Sequence, residues 1–231
     1  MLVLRGLVGA LFQWLVIAAF LILPAGIFAG EWAWARGWQY LAVYAALLFP
    51  AATAMAVFAP ASLESRLRAP ASAEQPRDDK IASAILFPAL LLYMLFLPLD
   101  ALVWQLLGVP PLWLSIAGLA VSAVAYLFVI WTLFTNSFAI PVVEDQSEAG
   151  QVLIDTGPYA LVRHPMYLGM VCMFAGMGLW LGSMASLPLL LILVGAFALR
   201  IRAEEKTLLT TLPGYREYRE RRRYRLFPFI W

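Results

Sequence analysis

The stretch GPYALVRHPMYLG, residues 157–169, sets the chain's only histidine, His164, between Arg163 and Pro165 where a polar loop meets a long apolar run. Proline disfavours helical geometry at the residue before it and is tolerated as the first residue of a helix. A helix is therefore expected to begin near Pro165, with His164 at its entrance. Unpaired backbone donors and the positive end of a helix dipole would lie beside it, an arrangement that suits a ligand carboxylate. Further on, FALRIRAEEKTLL places Arg200 and Glu204 four residues apart, hence on one helical face. Two readings stand for that pair. It is an ordinary surface ion pair worth about a few tenths of a kcal/mol, or both charges point back toward the His164 loop and line one polar pocket at a membrane boundary.

Other candidates are plainer. The segment 136–165 is the longest loop and the most polar, with Glu144, Asp145, Glu148 and Asp155, and it closes on the turn signal Thr156-Gly157-Pro158. Asp100 reads as an interfacial carboxylate facing water. Asp78 and Asp79 sit in a charged loop, and with one histidine in the chain no metal site is expected. Cys172 lies in an apolar run, so no disulfide forms within the chain and a small packing role is expected.

The elements that must hold these residues are membrane helices. Of 231 residues 63% are hydrophobic and 13% charged, against about a quarter charged in soluble domains. Residues 6–30, 37–63, 81–99, 101–143 and 164–199 carry no Asp, Glu, Lys or Arg, and about 20 apolar residues cross a bilayer core. Gly108-Val109-Pro110-Pro111 breaks the longest run. Helices are expected near 7–29, 38–59, 82–107 and 112–134, then a hairpin near 166–181 and 184–203 that turns at Gly182-Ser183. Gly169, Gly176, Gly178 and Gly182 would let the hairpin helices approach closely. The first run exceeds a signal-peptide core and reads as a retained span. Trp32, Trp34, Trp38 and Trp104 fit an interfacial aromatic belt.

Orientation follows from the basic residues. Arg66, Arg68, Arg77 and Lys80 lie in the 60–80 loop, and eight Lys and Arg residues from Arg202 to Arg225 lie in the tail, whereas the loops at 30–37 and 108–111 hold only Arg36. With six crossings both termini and the His164 loop fall on the cytoplasmic side. The arginine-rich tail would favour anionic membrane lipids. No nucleic-acid motif, dinucleotide glycine turn or convincing internal repeat is visible, and oligomeric state is not legible.

Three blocks in this order, GPYALVRHPMYLG, RIRAEE after a helical hairpin, and GYREYRERRRYRLFPFI, resemble the isoprenylcysteine carboxyl methyltransferase family and its phospholipid methyltransferase relatives over roughly residues 135–231. The resemblance implies an all-α integral membrane enzyme of about six transmembrane helices. Residues 1–135 would form a four-helix region, and 136–231 a cofactor loop, hairpin and basic tail around a cytoplasmic cofactor pocket. It implies S-adenosylmethionine as methyl donor, bound without a Rossmann domain. The family's donor contacts fall on Tyr159, His164, Pro165, Met166 and Tyr167, on a strand-like approach Gln151-Val152-Leu153-Ile154, on Glu204, and on Glu144 in a less surely aligned loop. Arg200 matches the arginine that orients the acceptor.

That acceptor would be a lipophilic small molecule or lipidated group entering from the bilayer, foremost an isoprenylcysteine-like carboxylate, with a lipid amine or small thiol behind it. A carboxylate needs no general base, whereas an amine or thiol would make His164 the first suspect. Two departures blur the acceptor: LPGY at 212–215 replaces the family's common Phe-Gly, and Gln151 stands where prenylcysteine enzymes often have histidine. The arginine-over-lysine, alanine-rich composition suits a bacterial cytoplasmic membrane. The rivals are an NADPH-dependent sterol-type reductase, whose related element carries an acidic residue where this chain has Met170, and a non-catalytic membrane scaffold.

Overall fold

Each charge-free run becomes a helix because a backbone in hydrocarbon must satisfy its own polar groups. The computed structural model describes residues 1–67, 75–139 and 150–231. Within them α1 is Leu2–Ala29, α2 Ala35–Phe58, α3 Pro60–Leu67, α4 Arg77–Leu99, α5 Leu112–Thr135, α6 Pro165–Leu181, α7 Ser186–Thr211 and α8 Tyr215–Arg221. A π-helical turn, Asp100–Trp104, continues α4. Gly30, at φ 73°, and Gly182, at φ 101°, end α1 and α6 in the left-handed conformation that glycine tolerates.

The fold is that of an all-α integral membrane protein. Five helices are long and apolar enough to cross a membrane, and α6, at 17 residues, is shorter, about 25 Å at 1.5 Å per residue. Its end nevertheless reaches the level of the other turns. The Arg36 guanidinium donates to Trp180 O at 3.4 Å while the Trp180 indole donates to Arg36 O at 2.9 Å. At the opposite end the Ser62 hydroxyl donates to Leu133 O at 2.9 Å, joining the start of α3 to the end of α5.

Several expectations change. Helix α7 runs past residue 203 to Thr211 because its charged stretch keeps a buried face, with Arg200, Ile201, Ala203 and Glu205 all shielded. Asp100 does not face water. It is fully buried, accepting from the Ser183 hydroxyl at 2.5 Å and the Leu106 N–H at 3.0 Å, and so ties the α6–α7 turn to the π turn. Asp78 and Asp79 lie in the first turn of α4 rather than in a loop, and Asp79 is fully buried. Trp34 is buried, while Trp32, Trp38 and Trp104 stay exposed as a belt would require.

The hairpin glycines mostly serve a different neighbour. Gly169 and Gly176 face α5, and Gly178 faces Ser186 across the turn. A Cβ on Gly176 would strike the Gly118 carbonyl and stand 2.7 Å from Ser122 N, so α5 and α6 could not keep their separation. Gly176→Ala is expected to destabilise by about 2 kcal/mol, as overpacking does. Gly195→Ala, which meets nothing within 4 Å, should match or exceed the parent because alanine is the better helix former. Thermal unfolding in detergent reads both; equal melting temperatures for Gly176→Ala and the parent would refute the close contact.

Candidate functional site

At the end of the bundle that carries α3 and the basic tail, the 150–167 segment, the C-terminal half of α7 and α8 close around a hollow of about 810 Å³, its open mouth included. Gln151, Val152, Leu153 and Ile154 cross one side. They pair with no strand, and among the described residues there is none, so the expected strand-like approach is plain irregular backbone. Tyr159 projects from the single turn Gly157–Ala160, whose first residue takes φ 57°. His164, Pro165, Met166 and Tyr167 come from the start of α6, and Glu204 comes from α7. Glu144 lies outside the described residues. Arg200 does not line the hollow and stands behind Tyr167.

Proline opens α6 as expected, with His164 as its cap residue. The backbone donors of the entrance are partly taken: Arg163 N–H donates to Tyr224 O at 3.0 Å and His164 N–H to Arg225 O at 2.9 Å. The tail is thereby stitched alongside the loop. An ionic cluster completes the seam. The Glu205 carboxylate, 4% exposed, accepts from Arg163 Nε at 2.7 Å and Arg225 Nε at 2.9 Å, and faces His164 Nε2 at 3.3 Å. Arg163 also donates to Arg222 O at 2.7 Å and Arg223 O at 3.0 Å.

The Arg200–Glu204 pair is neither of the simple alternatives. The two side chains meet through Tyr167, whose hydroxyl donates to Glu204 Oε2 at 3.0 Å and accepts from Arg200 Nε at 3.0 Å. Arg200 is 3% exposed and continues the chain of contacts to Ser83 Oγ at 2.9 Å and Asp79 Oδ1 at 3.8 Å. Glu204, its side chain 28% exposed, presents the carboxylate at the hollow's edge, with His164 Nδ1 3.8 Å away.

The roof is aromatic. Tyr215 and Tyr218 of α8 face the hollow, and the Tyr218 hydroxyl donates to Tyr159 O at 2.8 Å. The Tyr215 hydroxyl is buried with no partner among the described residues, a cost that a ligand's polar atom would relieve. Burial pushes the phenols of Tyr159, Tyr215 and Tyr218 above their ordinary pKa, so they remain neutral donors at physiological pH. With Leu153, Met166, Leu208 and Leu212 also in its lining, the hollow combines apolar walls with an anionic edge at Glu204. Among the described residues no three His, Cys, Asp or Glu side chains gather to hold a metal.

Sequence reasoning missed Glu205, Arg163, Tyr215 and Tyr218. The signal for Glu205 was its place beside Glu204: one residue turns a helix by 100°, so two adjacent glutamates must face different neighbours. The LPGY motif carried Tyr215.

Residues 113–214 match the phospholipid methyltransferase family. Two curated proteins are similar over part of the chain. The cobalt-zinc-cadmium resistance protein CzcN of Cupriavidus metallidurans is 35% identical over 123 residues, 51% of this chain and 50% of that protein. The nickel-cobalt-cadmium resistance protein NccN of Alcaligenes xylosoxydans xylosoxydans is 42% identical over 74 residues, 30% of this chain and 33% of that protein. The chain thus spans half or less of the length of these relatives.

Proposed function

We propose, from a chain whose residues 113–214 are those of the phospholipid methyltransferase family, that it is a membrane methyltransferase using S-adenosylmethionine on a lipophilic acceptor. The observation that carries the reading is the convergence of Gln151 to Ile154, Tyr159, His164 to Tyr167 and Glu204 on one hollow. Residues 136–231 hold the donor, and the helices of 1–135 embed that region in the bilayer. In this reading the hollow and both termini face the cytoplasm of a bacterial cell, an orientation supported by the excess of Lys and Arg in the loops on that side.

The residues fit the donor. Glu204 pairs with its cationic part, the start of α6 takes its carboxylate, Tyr215 supplies an unused hydroxyl, and the leucines and Met166 cover the adenine. When bound, S-adenosylmethionine supplies an electrophilic methyl: an acceptor lone pair forms the new bond while the S–C pair stays on sulfur, leaving a neutral thioether. The chain's part is to hold Glu204 and Tyr167 rigid and to keep water out, since opposite charges that cancel in the transition state react faster in a dry site.

An isoprenylcysteine-like carboxylate is the leading acceptor. His164 Nε2 is engaged with Glu205 at 3.3 Å, and carboxylate methylation moves no proton, so this acceptor makes no demand on the histidine. An amine or thiol acceptor would require a base, for which Glu204 and His164 are the groups at the hollow.

The test is calorimetric binding of S-adenosylhomocysteine to detergent-purified protein, with NADPH as comparison. Micromolar binding is expected, weakened about 10- to 100-fold in Glu204→Gln, the loss of one charged hydrogen-bonding partner. Binding of NADPH in its place would turn the reading to a reductase, and binding of neither by folded protein would end the enzyme reading.

A further inference from the structure

A second cavity lies in the membrane wall on the α1 side. It runs between α1, α2, α3 and α5, encloses about 1140 Å³ with its open side included, and is lined by small and apolar residues such as Gly9, Ala51 and Leu133. Its outer edge at Phe12 is 69% exposed. Three polar side chains break this lining, Gln13, which donates to the Tyr44 hydroxyl at 2.6 Å, and Arg66 and Tyr126. Arg66, on α3, donates to Ala139 O at 2.7 Å and has no carboxylate within ion-pair distance among the described residues. Tyr126, 7% exposed, forms no hydrogen bond through its hydroxyl among those residues, and both groups face the same cavity.

The cavity and the hollow share a wall. Met166 and Ala139 line the hollow, and the same two residues pack against Met55, Leu63 and Leu133, which line the groove. An arginine without a carboxylate in a half-apolar surrounding is costly unless an anion joins it. Burial already holds the Arg66 pKa below its ordinary value, so a partner anion would be strongly favoured. Hydrocarbon below and a cation above are complementary to a lipid with a negatively charged head.

We propose that this groove is the acceptor's seat, taking the hydrocarbon chain of a membrane lipid with an anionic headgroup and holding that head at Arg66 and Tyr126, one side chain from the donor hollow. The seat rests on the methyltransferase reading for its role as acceptor site, but not for its occupancy.

The test is native mass spectrometry of the full chain without donor, using palmitoyl-oleoyl phosphatidylglycerol and its phosphatidylcholine counterpart. The anionic lipid is expected to bind about fivefold more tightly, the contribution of one arginine near a membrane surface, and millimolar inorganic phosphate should not displace it. Arg66→Gln should erase the preference. Gly9→Leu fills the groove against the flexible end of Leu67 and should weaken both lipids with the melting temperature unchanged. N-acetyl-S-farnesylcysteine should displace the lipid from the parent. Equal binding of the two lipids, or a preference surviving Arg66→Gln, overturns the seat, the latter assigning the anion to the arginine-rich tail. Farnesylcysteine methylation without lipid displacement overturns it as the acceptor site. Loss of S-adenosylhomocysteine binding with lipid preference intact would sink the methyltransferase reading and leave the seat standing.

Discussion

Glu205→Gln is expected to destabilise the protein by about 3–5 kcal/mol, the range for removing one partner of a buried ion pair. Two arginines and a histidine converge on this carboxylate, and the Arg163 side chain is only 4% exposed. The substitution keeps the shape and removes the charge, so Arg163 is left in the interior with carbonyls alone. The result should be local first. Arg163 and Arg225 hold the tail against the α6 entrance, so tryptic cleavage around Arg219 to Arg225 should accelerate before global unfolding. A double-mutant cycle with Arg163→Met separates the effects: removing both charges should cost less than the sum of the single changes, because neither charge is then stranded. A loss below about 1 kcal/mol for Glu205→Gln, comparable to an exposed pair, would refute the cluster as the seam of the site.

The neighbouring Glu204 is expected to behave in the opposite way, losing donor affinity with little change in stability. That division could not be read from RIRAEE alone. Spacing placed Arg200 and Glu204 on one face, and so they are, but it could not reveal that a tyrosine from another helix would stand between them. Composition and charge-free runs made the helices legible, since in a bilayer the length of an apolar run nearly determines the element. What stayed hidden were residues whose partners come from distant segments. Asp100 looked interfacial because it ends an apolar run, yet Ser183, remote in sequence, buries it. Asp79 looked solvated within its charged neighbourhood, yet Gln75 donates to it at 2.6 Å and Arg200 faces it. A buried carboxylate is recognisable only once its donors are placed, and tertiary packing places them.

Arg200→Ala is expected to abolish turnover while S-adenosylhomocysteine still binds. Among the described residues Arg200 meets the lining of the hollow at the Tyr167 hydroxyl, so its role is that of a positioning residue, and a reacting group misplaced by about 1 Å can cost on the order of 100-fold in rate. The alanine variant also strips a cation from buried Asp79 and risks the fold. Two gentler variants therefore carry the argument. Arg200→Lys keeps a positive charge beside Asp79 but loses the rigid planar fork that spans Tyr167 and Ser83. Tyr167→Phe keeps the arginine and removes the hydroxyl that orients Glu204. Both should remain folded and lower kcat about 100-fold with KM for N-acetyl-S-farnesylcysteine little changed, since the loss falls on the transition state rather than on ground-state binding. If Arg200→Ala loses the donor as completely as Glu204→Gln, the arginine belongs to the donor site instead. If Arg200→Lys and Tyr167→Phe keep full kcat, the contacts from Asp79 to Glu204 are structural, and the acceptor must be oriented from the Arg66 side alone.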